Sequence, residues 1–471
     1  MTMPPPLPLE LFASLPAAVQ AYIRAIEAIV AQIPKLESRV AELESQPKLD
    51  STNSSKPPSS DGPHVKPAPP RIPSGRKRGG QPGHARHERV ILPPDEVVDH
   101  KPPRCDRCCT KLSGDDLDPI IDQVIDLPEK MRHVVHHRRH TLCCPECQAR
   151  TTAAPAPEAA SGFGPKLTAV TAYCSGVARM SKQTTERFFD EVCGIPISTG
   201  SISKLEAKVS AALQPIHEDA RAHIEGRDVN VDETSWKEGL NKAWVWVAVT
   251  TGLTVFIIRY KRNIPSFQDL VGLNPGIVTS DRFSVYNHLG VEKRQVCWAH
   301  LRRDFQAMID RKNAGSEIGT SLLENSDSLF MHWHLVRKKE DARETFLSET
   351  LSWLREEVKS LLERGSACSC KKTAAVCREL LKLEVSLWTF ATTPGVEPTN
   401  NAAERALRHA VCWRKSSYGT DSPVGSRFVE RILTAVASCR TQKRDVLDFL
   451  RQALAASKDP AQKLSLIPSG A

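Results

Sequence analysis

The sequence lacks an uninterrupted apolar run long enough to cross a bilayer. Its longest such stretch, "AWVWVAVTTGLTVFII" from Ala243 to Ile258, is broken by Thr-Thr-Gly and rich in β-branched residues. That composition fits two paired strands better than a membrane span, so no membrane partner is expected. The amino terminus "MTMPPPLPLELF" lacks the basic start and apolar core of a secretion signal, and a cytoplasmic location is expected. Disulfides are therefore not expected among the 14 cysteines, which should be thiols or metal ligands. Negative charge is also in deficit, with 55 Asp and Glu against 64 Lys and Arg for a net charge of +9. Clustered excess cations favour a polyanionic partner because they release condensed counterions from a phosphate backbone. With 471 residues and 40% apolar content, the chain can bury a sizeable core and divides into several domains.

Residues 1–46 read as an amphipathic, coiled-coil-like helix. Val19, Tyr22, Ile26, Ile29, Ile33, Leu36, Val40 and Leu43 follow a three-four alternation, which Pro34 interrupts and should kink. The seam suits either self-association or docking on the rest of the chain. Residues 47–103 hold thirteen of the 34 prolines and read as a linker, too polar to fold compactly. Its basic part, with Arg76, Lys77 and Arg78, suits a flexible arm on DNA, a solvated tether being the plain alternative.

Residues 104–150 contain Cys105-x-x-Cys108 and Cys144-x-x-Cys147, two thiolate pairs that together would enclose one tetrahedral, structural Zn²⁺ in a zinc-ribbon-like module. Cys109 and Cys143 are spare thiols, and His133, His136, His137 and His140 are alternative ligands. The intervening "IIDQVIDLP" and "RHVVHHRRHTL" alternate like strands. Residues 160–215 are helical with helix-turn-helix punctuation. Ser181 can cap one helix, Gly194 and Pro196 make a turn, and Ser198 or Thr199 can cap the next, which would offer Ser201, Ser203 and Lys204 to DNA. Three packed helices without a DNA contact are the alternative.

From residue 226 the period becomes that of strands: "RDVNVDETSW", "AWVWVAVT", "TVFIIRY", a polar helical stretch, then "GIVTSDRFSVY" and "RQVCWAHLRRDF". Three strands on short turns, a helix and further buried strands predict a mixed sheet flanked by helices. Asp232 follows the alternating "DVNV" and Asp281 closes "GIVTS", each where a strand delivers a side chain to the sheet's working edge. Glu404 stands in "NNAAERALRHAVCWRKSSYG" among Arg405, Arg408, Arg414 and Lys415. A local Glu404–Arg408 pair four residues apart is the simple reading. The other is that Glu404 joins Asp232 and Asp281. Three acids from separate elements repel one another unless cations occupy the site, and two Mg²⁺ ions would resolve that conflict while the basic residues meet phosphates. Glu233 and Asp304 are rival acids. Cys297 and His300 in "CWAH" have metal-ligand spacing but form an incomplete pair; Arg302 and Arg303 beside them are candidate DNA contacts. Trp298 reads as core, and Trp413 either packs under the final helices or meets distorted DNA.

The motifs "VDETSW", "SDRFSVYNHL", "VCWAHLRRDF" and "TNNAAERALRHAVCWRKSSYGT", with "NSSKPPSSD", "GGQPGH" and the paired Cys-x-x-Cys, resemble the transposases of the insertion-sequence-sixty-six family. The resemblance spans nearly the whole chain. It implies a multi-domain α+β protein with a ribonuclease-H-like α/β core at 226–310, a helical insertion at 311–398, and a catalytic Glu helix with C-terminal helices at 399–471. It also implies an Asp232–Asp281–Glu404 triad using two Mg²⁺ ions, or Mn²⁺, for 3′-end cleavage and strand transfer. The expected partners are element ends and target DNA, a second copy of the chain in a synaptic assembly, and element-encoded accessory proteins, in a nucleoid-associated setting. The rival readings are a catalytically silent, zinc-containing DNA-binding protein and a metal-dependent nuclease without strand transfer.

Overall fold

In a computed structural model, residues 8–36, 53, 91–155, 162–338, 342–459 and 461–468 are described. The chain forms two compact units, one of Met1–Lys66, Ser161–Lys182 and Gly200–Ala471, the other of Pro67–Ala160 and Gln183–Thr199. No helix among the described residues is long and apolar enough to cross a membrane.

Helix α1 (Ala17–Val30) carries the amino-terminal seam, whose Val19, Tyr22, Ile26 and Ile29 are all exposed. The helix ends before Pro34, and a short helical segment resumes at Ile33 with the proline in its first turn. A break thus replaces the expected kink, because proline lacks the N–H a continuing helix needs but fits a first turn. Val40, Leu43 and the arm with Arg76, Lys77 and Arg78 lie outside the described residues.

In the smaller unit, β1 (Thr141–Cys143) pairs antiparallel with β2 (Arg150–Thr152), with Leu142 opposite Thr151. The alternating segment "IIDQVIDLP" forms no strand, and Ile120 and Val124 are more than nine-tenths exposed. Alternation makes a strand only where a neighbouring strand takes the hydrogen bonds and covers the apolar face. Helices α2 (Pro165–Gly176), α3 (Lys182–Arg187, continuing as a π-helical turn through Val192) and α4 (Thr199–Ile224) begin and end near the predicted punctuation, and Gly194 has φ +62°.

The larger unit is built on a five-stranded mixed sheet in the order β5-β4-β3-β6-β7. Strands β3 (Val229–Glu238), β4 (Asn241–Val249) and β5 (Thr254–Arg259) form an antiparallel meander. Gly239, at φ +56°, makes the tight β3–β4 turn that few other residues would accept. Helix α5 (Ile264–Val271) follows, with the Asn263 side chain accepting from Ser266 N at 3.2 Å as its cap. Strands β6 (Val278–Ser280) and β7 (Arg294–Val296) then add in parallel to β3. The chain is therefore a mixed α+β protein of the expected strand order.

After β7, helices α6 (Trp298–Asp310), α7 (Ser316–Lys338), α8 (Leu351–Ser366) and α9 (Lys371–Lys382) enclose a core of their own around Trp298, Phe305, Leu322, Leu361 and Leu380. A Cβ at Gly319 would stand 2.7 Å from Met308 Cβ, so α6 and α7 approach too closely for any other residue. Trp298 is fully buried and donates through Nε1 to Leu387 O at 2.8 Å. Helices α10 (Asn401–Ser417), α11 (Pro423–Thr441) and α12 (Val446–Ala456) return to the sheet and share one apolar core with it. Trp413 packs edge-on against Phe428 within that core.

Strand β5 is an edge, and its outward N–H groups would be orphaned beneath α11. Three side chains one turn apart on α11 answer them. Thr254 N donates to Ser438 Oγ at 3.0 Å, Phe256 N to Thr434 Oγ1 at 3.0 Å, and Ile258 N to the Glu430 carboxylate. The helix thereby closes the sheet edge against further pairing. Replacing Thr434 by Val keeps the shape but strands a buried N–H, which costs about 1–3 kcal/mol. Chemical denaturation should show Thr434→Val destabilised by that amount and Thr434→Ser by much less; equal stabilities would refute the edge-closure role.

Candidate active site

Strand β3 presents Asn230, Asp232 and Thr234 on one half-buried face, with Val229, Val231 and Glu233 on the buried other face. Asn230 is paired in parallel register with Thr279 of β6. Two residues farther along come Asp232, still on β3, and Asp281, just past the end of β6, and the charge of Asp281 acts on Asp232.

Glu404 arrives from the first turn of α10, and the segment before that helix fixes its position. Asn400 is fully buried. Its Nδ2 donates to Val231 O at 2.7 Å, its backbone N donates to Cys297 Sγ at 3.1 Å, and Asn230 Nδ2 donates to Thr399 O at 3.4 Å. Trp298 N donates to Pro398 O at 2.9 Å, and Cys297 N to Ser280 O at 2.9 Å. These bonds stitch residues 398–400 to the first half of β3 and to Cys297 and Trp298 just after β7, and Cys297 in turn to the end of β6.

The electrostatics separate Asp232 and Asp281 from Glu233 and Asp304. Glu233 is ion-paired with Arg262, whose Nε donates at 2.6 Å, and accepts from Tyr286 OH at 2.6 Å. Asp304 pairs with Arg282 at 2.9 Å, which also holds Glu379 at 2.6 Å. Each rival acid thus has its own arginine. Asp232 and Asp281 are in no ion pair among the described residues; they accept only backbone N–H groups, from Glu233 at 2.8 Å and Phe283 at 2.9 Å. Arg294 reaches Asp281 through its main-chain carbonyl, at 2.9 Å, not its carboxylate. Part of Asp232 is accessible, yet protein surrounds its carboxyl densely. Burial first, then the charges of Glu233, Asp281 and Glu404, push it well above the usual carboxylate range.

Glu404 makes no ion pair with Arg408. Its Oε1 lies 3.5 Å from His300 Nδ1 and 3.9 Å from Arg303, and both Oε1 and His300 Nδ1 are buried without a hydrogen bond. Burial, then Arg303, lowers the His300 imidazole, while burial pushes the Cys297 thiol up to about 12. Among the described residues, the single group of three or more possible ligand side chains within 4.8 Å of one another is Cys297, His300 and Glu404. The three carboxylates do not meet that limit together. A pair of ions about 3.5–4 Å apart has a wider ring of ligands than one ion. Oxygen donors, unbalanced negative charge and an orphaned carboxylate oxygen make Asp232, Asp281 and Glu404 a fit for hard divalent cations.

The basic residues divide. Lys204, Arg405, Arg408 and Lys415 are exposed. Arg302 is committed to Asp327 at 2.6 Å and Ser326 at 2.6 Å, and Arg414 is a strut to Thr234 at 3.1 Å and to Ser235. In the smaller unit, the two Cys-x-x-Cys loops repeat one geometry. Cys105 N donates to Thr110 O and Cys144 N to Ala149 O, both at 2.9 Å. The residue after each second cysteine, Cys109 or Gln148, has φ near +60° and donates back to the first cysteine's carbonyl. Hydrogen bonds, led by Thr110 for Cys108 and the Cys147 backbone for Cys144, hold those two thiols below the usual range. The four sulfurs are not gathered within 4.8 Å. Asn400 and the convergence of Glu404 on Cys297 and His300 escaped sequence reasoning, since the Cys-x-x-His spacing announces two ligands and its third comes from far along the chain.

The family model described as "Transposase IS66 family" matches residues 160–427, more than half of the chain. A model of a family of unknown function, DUF6444, matches residues 8–90. Two similar proteins of Sinorhizobium fredii (strain NBRC 101917 / NGR234) are described only as uncharacterized. Of these, y4hP is 25% identical and y4qI 26% identical, each alignment covering 82% of this chain and 75% of the relative.

The raised Asp232 carboxyl carries a stability consequence. Its folded pKa lies above its unfolded one, so the folded state binds the proton more tightly, and metal-free stability falls as pH rises from the ordinary carboxylate range through the raised value. In thermal melts of metal-free protein at neutral pH, Asp232→Asn should therefore melt higher than wild type. Millimolar Mg²⁺ should raise the wild-type midpoint and leave the variant's nearly unmoved. A variant that melts lower, or responds to Mg²⁺ like wild type, would contradict the charge argument.

Proposed function

The chain belongs to the transposase IS66 family, and we propose that it cuts the 3′ ends of its element and joins them to target DNA through Asp232, Asp281 and Glu404. One observation carries this reading. Asp232 on β3 and Asp281, just past the end of β6, are in no ion pair among the described residues, while the neighbouring acids Glu233 and Asp304 each have an arginine. The strand order β5-β4-β3-β6-β7, antiparallel in its first three members and parallel from β3 onward, supports a ribonuclease-H-like core.

Asp232, Asp281 and Glu404 would hold two Mg²⁺ ions, or Mn²⁺ in their place, which would supply activation of an attacking oxygen and stabilisation of the leaving one. The chain's own residues position everything else. Asn400 sets Glu404 against the sheet edge, so the third acid is placed before DNA arrives. Arg303, beside Glu404, brings positive charge to the margin of the site, and exposed Arg405, Arg408 and Lys415 offer phosphate contacts along α10. Water and a 3′-hydroxyl attack phosphorus by the same in-line displacement, so one preorganised site serves both cleavage and joining. Two ends must be handled together, which calls for at least a dimer, and the exposed seam of α1 is its candidate surface. The repeated Cys-x-x-Cys loops would hold a structural Zn²⁺ through Cys105, Cys108, Cys144 and Cys147.

Purified chain, terminal-repeat DNA, a target plasmid and Mg²⁺ test the reading. Asp232→Ala, Asp281→Ala and Glu404→Ala should each lower strand transfer by on the order of 10²–10³-fold or more. Variants that join DNA as fast as wild type would overturn the triad; cleavage without joining would favour a nuclease, and binding alone a silent DNA-binding protein. Elemental analysis should find zinc in folded protein and less of it in Cys108→Ser, and zinc-free folded protein would end the ribbon assignment.

A further inference from the structure

Besides the acids, the larger unit brings together three side chains of different chemistry. We infer that Cys297, His300 and Glu404 form a site for a thiophilic divalent ion of the Zn²⁺ class, sharing Glu404 with the acidic site. Their ligand atoms lie within 4.8 Å of one another. Cys297 stands at the amino-terminal cap of α6, His300 in that helix's first turn, and Glu404 in the first turn of α10. The two helix starts are fastened together by the bonds from Asn400 N to Cys297 Sγ, at 3.1 Å, and from Trp298 N to Pro398 O, at 2.9 Å.

A second, independent observation points to a ligand. His300 Nδ1 and Glu404 Oε1 are buried polar atoms with no hydrogen bond, 3.5 Å apart. Buried polar groups are ordinarily satisfied, so two orphans facing each other beside a thiol mark a place that something else completes. Sulfur and imidazole nitrogen select Zn²⁺ over Mg²⁺, which prefers an all-oxygen shell. Three protein ligands leave one position of a tetrahedron open. Entry is from the Glu404 side, whose side chain is 31% exposed, since Cys297 is fully buried. On binding, a sulfur–metal bond replaces the S–H bond and the thiol proton passes to solvent. The Asn400 N–H already directed at Sγ then donates to a thiolate and helps hold its charge.

The regulatory consequence rests on the reading of Glu404 as the third acid. Glu404 held on a zinc ion beside His300 is drawn from the Mg²⁺ site, so zinc loading should suppress strand transfer. The test counts zinc by equilibrium dialysis of the full chain against Zn²⁺, in wild type, Cys297→Ser, His300→Asn and, as a reference for the Cys-x-x-Cys module, Cys108→Ser. Cys297→Ser and His300→Asn should each bind one equivalent fewer than wild type, while Cys108→Ser keeps that equivalent. Because Cys297 is fully buried and the His300 side chain is 14% exposed, His300→Asn disturbs the core less, and with its fold confirmed by thermal melting its zinc count decides the matter. Equal counts in wild type and His300→Asn overturn the site. In strand-transfer assays at fixed Mg²⁺, added Zn²⁺ should suppress wild type and leave the rate of His300→Asn the same with and without zinc. Zinc bound without suppression overturns the shared ligand, whereas a wild type inactive in Mg²⁺ alone defeats the transposition mechanism and leaves the zinc count standing.

Discussion

Two acids kept without an ion pair among the described residues, Asp232 and Asp281, with Glu404 brought near them, are the constraint around which the larger unit is built. Burial and the fields of Glu233, Asp281 and Glu404 all disfavour an ionised Asp232. A fold that keeps such a group must hold it by other means. Arginines brace the surroundings: Arg262 on Glu233, Arg282 on Asp304, and Arg414 on the β3 backbone. None of the three neutralises the triad. On the proposed reading the cation would come from solution, as expected of a site that uses metal for chemistry and not for folding.

The long interval between Asp281 and Glu404 costs the site little. The block that follows β7 gathers an apolar core distinct from that of the rest of the sheet and joined to it through Val296 of β7. Its two ends, Trp298 and Pro398, are joined by a backbone hydrogen bond of 2.9 Å. The sheet therefore meets the block at a closed neck, and the entropy of closing a long loop grows only slowly with length. Asn400, two residues past that neck, transmits the closure to Glu404 through Val231 and Cys297.

Much of this was legible in the sequence. The change of period after residue 226 announced the meander, and "DVNVDE" and "IVTSDR" fell on two parallel neighbours; Asp281 follows the end of its strand as read, whereas Asp232 lies within a strand that runs on to Glu238. The closing helix was readable from Asn400 onward. What escaped were interactions made at a distance. The sequence offered Arg408, one turn on, as the simple partner of Glu404 and could not show the neighbours it has, His300 and Arg303. Arg302 and Arg414 counted toward a basic surface until the fold turned them inward. The hydroxyls and carboxylate of Ser438, Thr434 and Glu430 read as ordinary helix residues, with no hint that their spacing answers an edge strand. The alternation at 120–128 promised strands that form only when a partner is present, and none is found there among the described residues.

The most direct measurement is anomalous diffraction from crystals of the protein with its terminal DNA and Mn²⁺. Two manganese peaks about 3.5–4 Å apart, one held by both Asp232 and Asp281 and the other within reach of Glu404, are the predicted result. Manganese found elsewhere, with Asp232 and Asp281 still bare beside bound DNA, would contradict the account.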